Sequence, residues 1–154
     1  MFRLLIAAAA VAVGAWALLR RKGLVPPLIG ARRQNKTETS IVIGLVHGQL
    51  KIVRQPETLT PRKGHATKLT WHVRNDTNEP REITLHNFRN RHNPGTPKPV
   101  RTDPLTRTVQ AGVTLPIVND LVDNPVVAIY KYDVRLTGGE ELDPDVVIWE
   151  EGGG

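Results

Sequence analysis

Hydrophobic and polar residues alternate along two neighbouring segments near the middle of the chain. Trp71 lies at the centre of the first segment, 68–75, and Leu85 lies near the centre of the second, 81–88. Successive side chains of a strand point to opposite faces, so this alternation predicts two strands that each bury one face. The polar residues 76–80 include Asp, Asn, Thr and a final proline, and they predict the turn between the strands.

Short β-branched and apolar runs recur along the rest of the chain, and no helical pattern follows residue 19. A basic segment with four prolines interrupts them at 89–107, a composition that disfavours a central strand. Several short strands separated by turns predict an all-β fold, an antiparallel Greek-key sandwich over 39–150. The other predicted strands are 40–46, 49–54, 114–118, 126–136 and 145–149.

The N-terminal segment 1–22 has the pattern of a membrane anchor. An uncharged apolar run from Leu4 to Leu19 is followed directly by basic residues, which predicts one transmembrane helix. A cleaved signal peptide is the alternative, because the run is short. We favour the anchor, since cleavage after Ala17 would leave a bulky, basic mature start. The residues predicted to lie in or against the bilayer are Leu4, Leu5, Ile6, Val11, Val13, Trp16, Leu18, Leu19, Arg20 and Arg21.

Two further segments carry no core pattern of their own. Residues 23–38 are basic and contain proline and glycine, which predicts a linker between the anchor and the sandwich. Residues 151–154 predict a frayed tail. The chain is therefore expected to be a single-pass protein of a bacterial inner membrane, with the lipid bilayer as one of its partners.

The net charge of +6 is not evenly distributed along the 154 residues. Residues 1–36 contain seven basic and no acidic side chains, whereas 37–154 contain 14 basic and 15 acidic ones. Nucleic-acid binding requires a basic face on the folded domain, so a nearly neutral domain excludes it as a leading function. The absence of cysteine excludes disulfides, thiolate metal sites and cysteine nucleophiles.

From Gln49 onward, the chain contains a turn that ends at Gly64, the motif Trp71-x-Val73-x-Asn75, the motif His86-Asn87-Phe88, a Gly112-centred turn, Tyr130-x-Tyr132 and a last strand after Asp143-Pro144. The order of these motifs resembles the cupredoxin-like sandwich, and immunoglobulin-like sandwiches share most of them. In that family, the Tyr-x-Tyr-like strand delivers a copper-binding cysteine, soon followed by histidine and methionine. Val134 and Thr137 stand near the cysteine and histidine positions here, and the only methionine is Met1.

The resemblance therefore implies a copper-free member, because a type 1 copper centre needs the soft thiolate. It also implies a domain on the periplasmic side of the membrane. The excess of basic residues after the anchor favours the cytoplasmic side instead, so the side of the membrane stays open.

Histidine side chains are the remaining candidate metal ligands. We expect no bound metal and no cofactor, because His72 and His86 both point away from the core by alternation, and the resemblance puts their strands in opposite sheets. The alternative is a weak copper site at His86, with His72 or His92 as a second ligand. No residue is predicted to be catalytic, and the only serine, Ser40, has no nucleophile motif around it.

Opposite charges concentrate in two parts of the sandwich. Residues 81–107 carry a net charge of +4, and residues 120–154 carry −7. These poles predict either docking of a protein partner or a second copy, or contacts within one molecule. The candidate partner-binding residues are Arg89, Arg91, Lys98 and Arg101.

The function expected from these patterns is that of a membrane-anchored, non-catalytic binding or structural module that contacts protein. One alternative is a weak copper-binding or copper-handling domain. A second alternative is an accessory subunit of a membrane enzyme complex.

Overall fold

The computed structural model describes residues 34–151, which form nine β-strands and no α-helix. The strands are β1 (Glu38–Val46), β2 (Gln49–Arg54), β3 (Lys68–Asn75), β4 (Arg81–Asn90), β5 (Leu105–Val109), β6 (Thr114–Asp120), β7 (Ala128–Leu136), β8 (Glu141–Leu142) and β9 (Asp145–Ile148). The predicted anchor, its bilayer residues and most of the linker lie outside the described residues. Within 34–151, no helix is long and apolar enough to cross a membrane.

The strands form two sheets, so the predicted sandwich is confirmed for the described residues. One sheet has the order β2-β1-β3-β6, and the other has the order β5-β4-β7-β8, with β9 also paired to β7. The chain crosses between the sheets after β3, after β5 and after β6. One hydrophobic core joins the two sheets and includes Ile41 from β1 and Ile83 from β4, both fully buried.

The arrangement is not wholly antiparallel as predicted, because β1 and β3 pair in parallel. The reason is the connection 55–67, which runs beside β9 through the bridges of Leu59 with Val146 and of Arg62 with Trp149. This connection returns the chain to the end of the sandwich where β1 begins. A parallel pair needs such a long crossover, whereas antiparallel neighbours can be joined by a short turn.

Three aromatic side chains form the centre of the core. Phe88 stacks on Tyr132 with ring centroids 5.0 Å apart, and Trp71 meets both rings edge-on. Trp71 Nε1 donates a hydrogen bond of 2.9 Å to the Tyr132 hydroxyl. A buried indole N–H needs a partner, so the tyrosine both fills space and satisfies the tryptophan. Trp71 and Tyr132 are both fully buried.

The boundaries of the elements differ from the predictions at two places. β5 begins inside the basic, proline-rich segment 89–107, where no strand was predicted, so the loop after β4 covers only 91–104. Contacts with the sandwich also begin before residue 39, because Asn35 Oδ1 accepts a hydrogen bond from the Arg62 N–H, and Lys36 pairs with Glu57.

A carboxylate covers the free edge of β2. The Ile52 N–H, which points away from β1, donates to Glu140 Oε1 at 2.5 Å, and Glu140 Oε2 lies 3.8 Å from Lys51 Nζ. Glu140 belongs to the turn between β7 and β8, so the contact also joins the two sheets. Edge strands with free N–H groups invite pairing with other chains, and a capped edge resists it.

Replacing Glu140 with alanine is expected to lower the free energy of unfolding by about 1.5–3 kcal/mol, because the Ile52 N–H loses a charged acceptor. Denaturant unfolding followed by tryptophan fluorescence measures the change. Glu79→Ala is the matched control, since the Glu79 side chain is exposed and forms an ion pair with Arg81 at the surface; its cost should be about 0–1 kcal/mol. Equal costs for the two variants would contradict the edge-capping role.

Candidate functional site

A polar cluster lies on the outer face of the second sheet, where three neighbouring strands each supply one side chain. His86 of β4 stands opposite Asp133 of β7, and Glu141 of β8 stands opposite Arg135, two residues further along β7. Residues two apart on a strand share a face, so His86, Asp133 and Glu141 point the same way. We call these three residues the His86 cluster.

The candidate ligand atoms of the His86 cluster lie within 4.8 Å of one another. His86 Nε2 is 3.5 Å from Glu141 Oε1, and the His86 side chain is 17% exposed. His86 Nε2 is itself buried and has no hydrogen-bond partner. Buried polar atoms are nearly always paired, so this nitrogen is an exception that calls for an explanation.

Two arginines and an asparagine bind the carboxylates of the cluster. Arg89 Nη1 donates to Asp133 Oδ1 at 2.9 Å, and Asn87 Nδ2 donates to Asp133 Oδ2 at 2.6 Å. Arg135 Nε donates to Glu141 Oε2 at 2.9 Å. Burial alone would raise the pKa of Asp133, but the hydrogen bonds from Asn87 and Arg89 outweigh it and hold that pKa below its usual range. Asp133 is therefore an ionised acceptor at neutral pH.

A β-bulge in β4 puts Asn87 in reach of Asp133. The ladder between β4 and β7 shifts register between His86 and Arg89, and Asn87 has a positive φ of 57°. Asp103 holds the bulge, because its carboxylate accepts from the N–H groups of Asn87 at 2.8 Å and Phe88 at 3.1 Å. Asparagine tolerates this left-handed conformation better than most residues, and bulges commonly re-aim side chains next to functional sites.

The structure places His72 and His92, the possible second ligands of the predicted copper alternative, away from the His86 cluster. His72 lies on β3 in the other sheet, where its Nε2 is 3.2 Å from Glu38 Oε2, and His92 is exposed in the loop 91–104. Within the described residues, the metal-ligating cluster around His86 contains neither of them. Sequence reasoning missed Asp133 and Glu141, which the β4–β7–β8 register brings beside His86.

The residues present do not fit a type 1 copper centre. Val134, near the position of the family's cysteine, is fully buried in the hydrophobic core, and the sequence supplies no thiolate in its place. A blue-copper site requires that soft ligand. The His86 cluster offers one imidazole nitrogen and carboxylate oxygens, which is a different donor set.

Most of the predicted partner-binding cations form ion pairs inside the molecule. Arg89 reaches Asp133 and, at 3.2 Å, Asp143; Lys98 pairs with Asp103; Arg101 pairs with Asp123. The contact between Arg89 and Asp143 joins the basic pole to the acidic pole, as the intramolecular alternative predicted. Arg91 takes part in none of the ion pairs within residues 34–151.

One end of the sandwich combines apolar and basic surface. The segment 121–127 packs beside the loop 91–104, because Val122 N donates to the carbonyl of Pro99. Val126 and Val127 are each 46% exposed, and the Arg91 N–H donates to the carbonyl of Ile129 at 2.8 Å. We call the surface formed by Arg91, Val126 and Val127 the loop-end surface.

Comparisons with known proteins identify similar folds at low similarity. No protein-family model matches the chain, and no curated protein matches it significantly. A multicopper oxidase, McoA from Aquifex aeolicus, matches at 14% identity and a TM-score of 0.45 over 80% of this chain. A multicopper oxidase from Pediococcus acidilactici matches at 17% identity and a TM-score of 0.30 over 82%.

This chain spans about a third of the length of those two proteins, 32% and 29% respectively. At this low similarity, the matches carry no argument about the family, copper or oxidase activity of this chain.

Proposed function

We propose that this chain is a membrane-anchored, non-catalytic binding module, a copper-free cupredoxin-like sandwich that contacts a protein partner through its loop-end surface. The observation that carries the proposal is that Val126 and Val127 are exposed just before Ile129, whose carbonyl accepts from the Arg91 N–H. Arg91 is itself an exposed cation without an ion-pair partner among the described residues. Adjacent exposed apolar side chains beside an arginine are typical of protein interfaces, where arginine is enriched.

The expected partner carries an acidic and apolar surface. Arg91 would pair with a carboxylate there, while the two valines would be buried by apolar side chains. Lys98 and Arg101 already have acidic partners within the sandwich, so they contribute less charge to the contact than the sequence alone suggested. This proposal includes the case in which the chain is an accessory subunit of a membrane enzyme complex, because the partner would then be an enzyme subunit.

Site-specific photo-crosslinking in native membranes tests the proposal. A photoreactive residue placed at Val127 of the full chain should give one discrete crosslinked product, whose partner is then identified by mass spectrometry. The control position is Gln110, which is also exposed. β4 runs from the end of the sandwich near Gln110 to the end near Arg91, so the two positions sample opposite ends.

Charge reversal at Arg91 is the matching functional prediction. Arg91→Glu should lower the yield of the Val127 crosslink roughly tenfold, since one lost ion pair and one new repulsion together amount to about 1.4 kcal/mol. Arg107→Glu makes the same charge change on β5 and should leave the yield unchanged. The proposed contact through the loop-end surface would be contradicted if the probe at Gln110 gave the same crosslinked product. It would also be contradicted if Arg91→Glu left the yield of the Val127 crosslink unchanged.

A further inference from the structure

On the outer face of the second sheet, one buried histidine nitrogen has no hydrogen-bond partner. His86 Nε2 is buried without a hydrogen-bond partner, although the carboxylate oxygen Glu141 Oε1 lies only 3.5 Å away. Asp133 completes a group of three potential ligand residues on three adjacent strands. A buried imidazole nitrogen facing carboxylates without a hydrogen bond is the arrangement expected of a ligand prepared for a cation.

We infer that the His86 cluster binds one divalent transition-metal ion of the borderline class, represented by Zn²⁺. The ligands are His86 Nε2, a carboxylate oxygen of Asp133 and Glu141 Oε1. Imidazole and carboxylate together suit zinc and copper(II), whereas calcium and magnesium prefer oxygen ligands alone. The inference goes beyond the proposed function and is independent of it, because the loop-end surface contains none of these residues.

The distances suit the ion. Zinc binds histidine nitrogen and carboxylate oxygen at about 2.0–2.2 Å, so two ligands of a tetrahedral site lie roughly 3.4 Å apart. The separation of 3.5 Å between His86 Nε2 and Glu141 Oε1 already meets this value. The three ligand atoms lie within 4.8 Å of one another, so Asp133 needs only a small side-chain shift to complete the set, with water as the fourth ligand.

The neighbouring groups orient the ligands and also limit the affinity. Asn87 and Arg89 hold the Asp133 carboxylate, and such outer contacts commonly fix the direction of a metal ligand. Arg135 occupies Glu141 Oε2 and leaves Oε1 free for the ion. The two guanidinium groups offset the charge of the two carboxylates, so the site should bind zinc less tightly than a structural site made of histidines and thiolates.

Zinc binding would also hold the shortest strand of the sheet in place. β8 contains only Glu141 and Leu142, and it pairs with β7 alone. An ion held by β4, β7 and β8 would link that strand across the sheet. The ion therefore acts as a structural clamp on this face, and bound zinc should raise the melting temperature of the whole chain.

Isothermal titration of the full chain with ZnCl₂ tests the inference, using protein purified in detergent without a polyhistidine tag. One zinc ion per chain is expected. His86→Ala and Glu141→Gln should each weaken binding at least roughly tenfold, since each removes one of three protein ligands. Thermal unfolding without zinc establishes that both variants are folded, and the zinc-induced rise in melting temperature should disappear in both.

Two further variants separate the site from non-specific binding. His72→Ala removes a histidine that also lies near a carboxylate but has no third potential ligand among residues 34–151, so zinc affinity should not change. Arg135→Gln frees the Glu141 carboxylate from its cation and should strengthen binding roughly two- to fivefold. The inference would be overturned if the chain did not bind zinc stoichiometrically, or if His86→Ala bound zinc as tightly as the unchanged protein. It would also be overturned if His72→Ala lost as much zinc affinity as His86→Ala.

Discussion

Replacing Trp71 with alanine is expected to lower the free energy of unfolding by about 3–5 kcal/mol, the usual cost of deleting a buried large aromatic side chain. Trp71 is fully buried, and it contacts both Phe88 and Tyr132 edge-on. The deletion leaves a cavity where the two sheets meet, because Trp71 comes from one sheet and its aromatic partners come from the other. Denaturant unfolding followed by far-ultraviolet circular dichroism measures the loss.

Tyr132→Phe measures the contribution of the Trp71–Tyr132 hydrogen bond to stability separately from that of aromatic packing. This variant keeps the ring but removes the hydroxyl that accepts from Trp71 Nε1, which leaves a buried donor without a partner. Its expected cost is about 1–3 kcal/mol. The packing argument is wrong if Trp71→Ala costs no more than Tyr132→Phe.

Alternation predicted those strands that bury one regular face. The segments around Trp71 and Leu85 are strands with nearly the predicted boundaries, and the inward residues of β7 are buried as expected. β5 was missed for a physical reason. Arg107 stands opposite Ile83 on the core-facing side of the edge strand, yet it is exposed, so it breaks the pattern. An inward-pointing charge protects a sheet edge from pairing with other chains.

The candidate site was predictable only in part. Alternation correctly directed His86 away from the core, but its neighbours depend on which strands pair and in which register. The bulge at Asn87 shifts the β4–β7 register within this very region, and a shift of one residue exchanges the two faces of a strand. Local sequence patterns carry no signal for such a bulge, since Asp103, which holds it, comes from a distant loop.

Charge counts along the sequence also could not predict which charged side chains pair. They identified a basic and an acidic pole, but pairing between these poles depends on the fold. Arg89 meets Asp143 because β4 and β7 are neighbours and the turn after β8 lies beside them. Among the predicted partner-binding cations, Arg89, Lys98 and Arg101 form ion pairs within the sandwich, whereas Arg91 forms none with the described residues. The proposed contact is therefore limited to the end of the sandwich at Arg91 rather than extending over the whole loop.

The second large effect is expected at Asn75, a fully buried polar residue at the end of β3. Its side-chain Nδ2 donates to the carbonyls of Val109 at 2.9 Å and Glu79 at 2.8 Å, and its Oδ1 accepts from the N–H and hydroxyl of Thr77. Asn75→Ala leaves the buried Thr77 N–H without its acceptor and removes the amide donor from both carbonyls, so the free energy of unfolding should fall by about 3 kcal/mol. Denaturant unfolding followed by tryptophan fluorescence measures it.

Asn78→Ala is the matched control, because Asn78 is exposed in the same turn and its loss should cost no more than about 0.5 kcal/mol. Asn75→Asp is the sharper variant. It keeps the acceptor for Thr77, loses both donors and adds a buried charge, so it should destabilise the fold at least as much as alanine. The contact between Asn75 and Val109 joins β3 to β5, which belong to different sheets. A small cost for Asn75→Ala would therefore mean that this buried amide contributes little to the connection between the sheets, whereas a large cost makes the amide part of that connection.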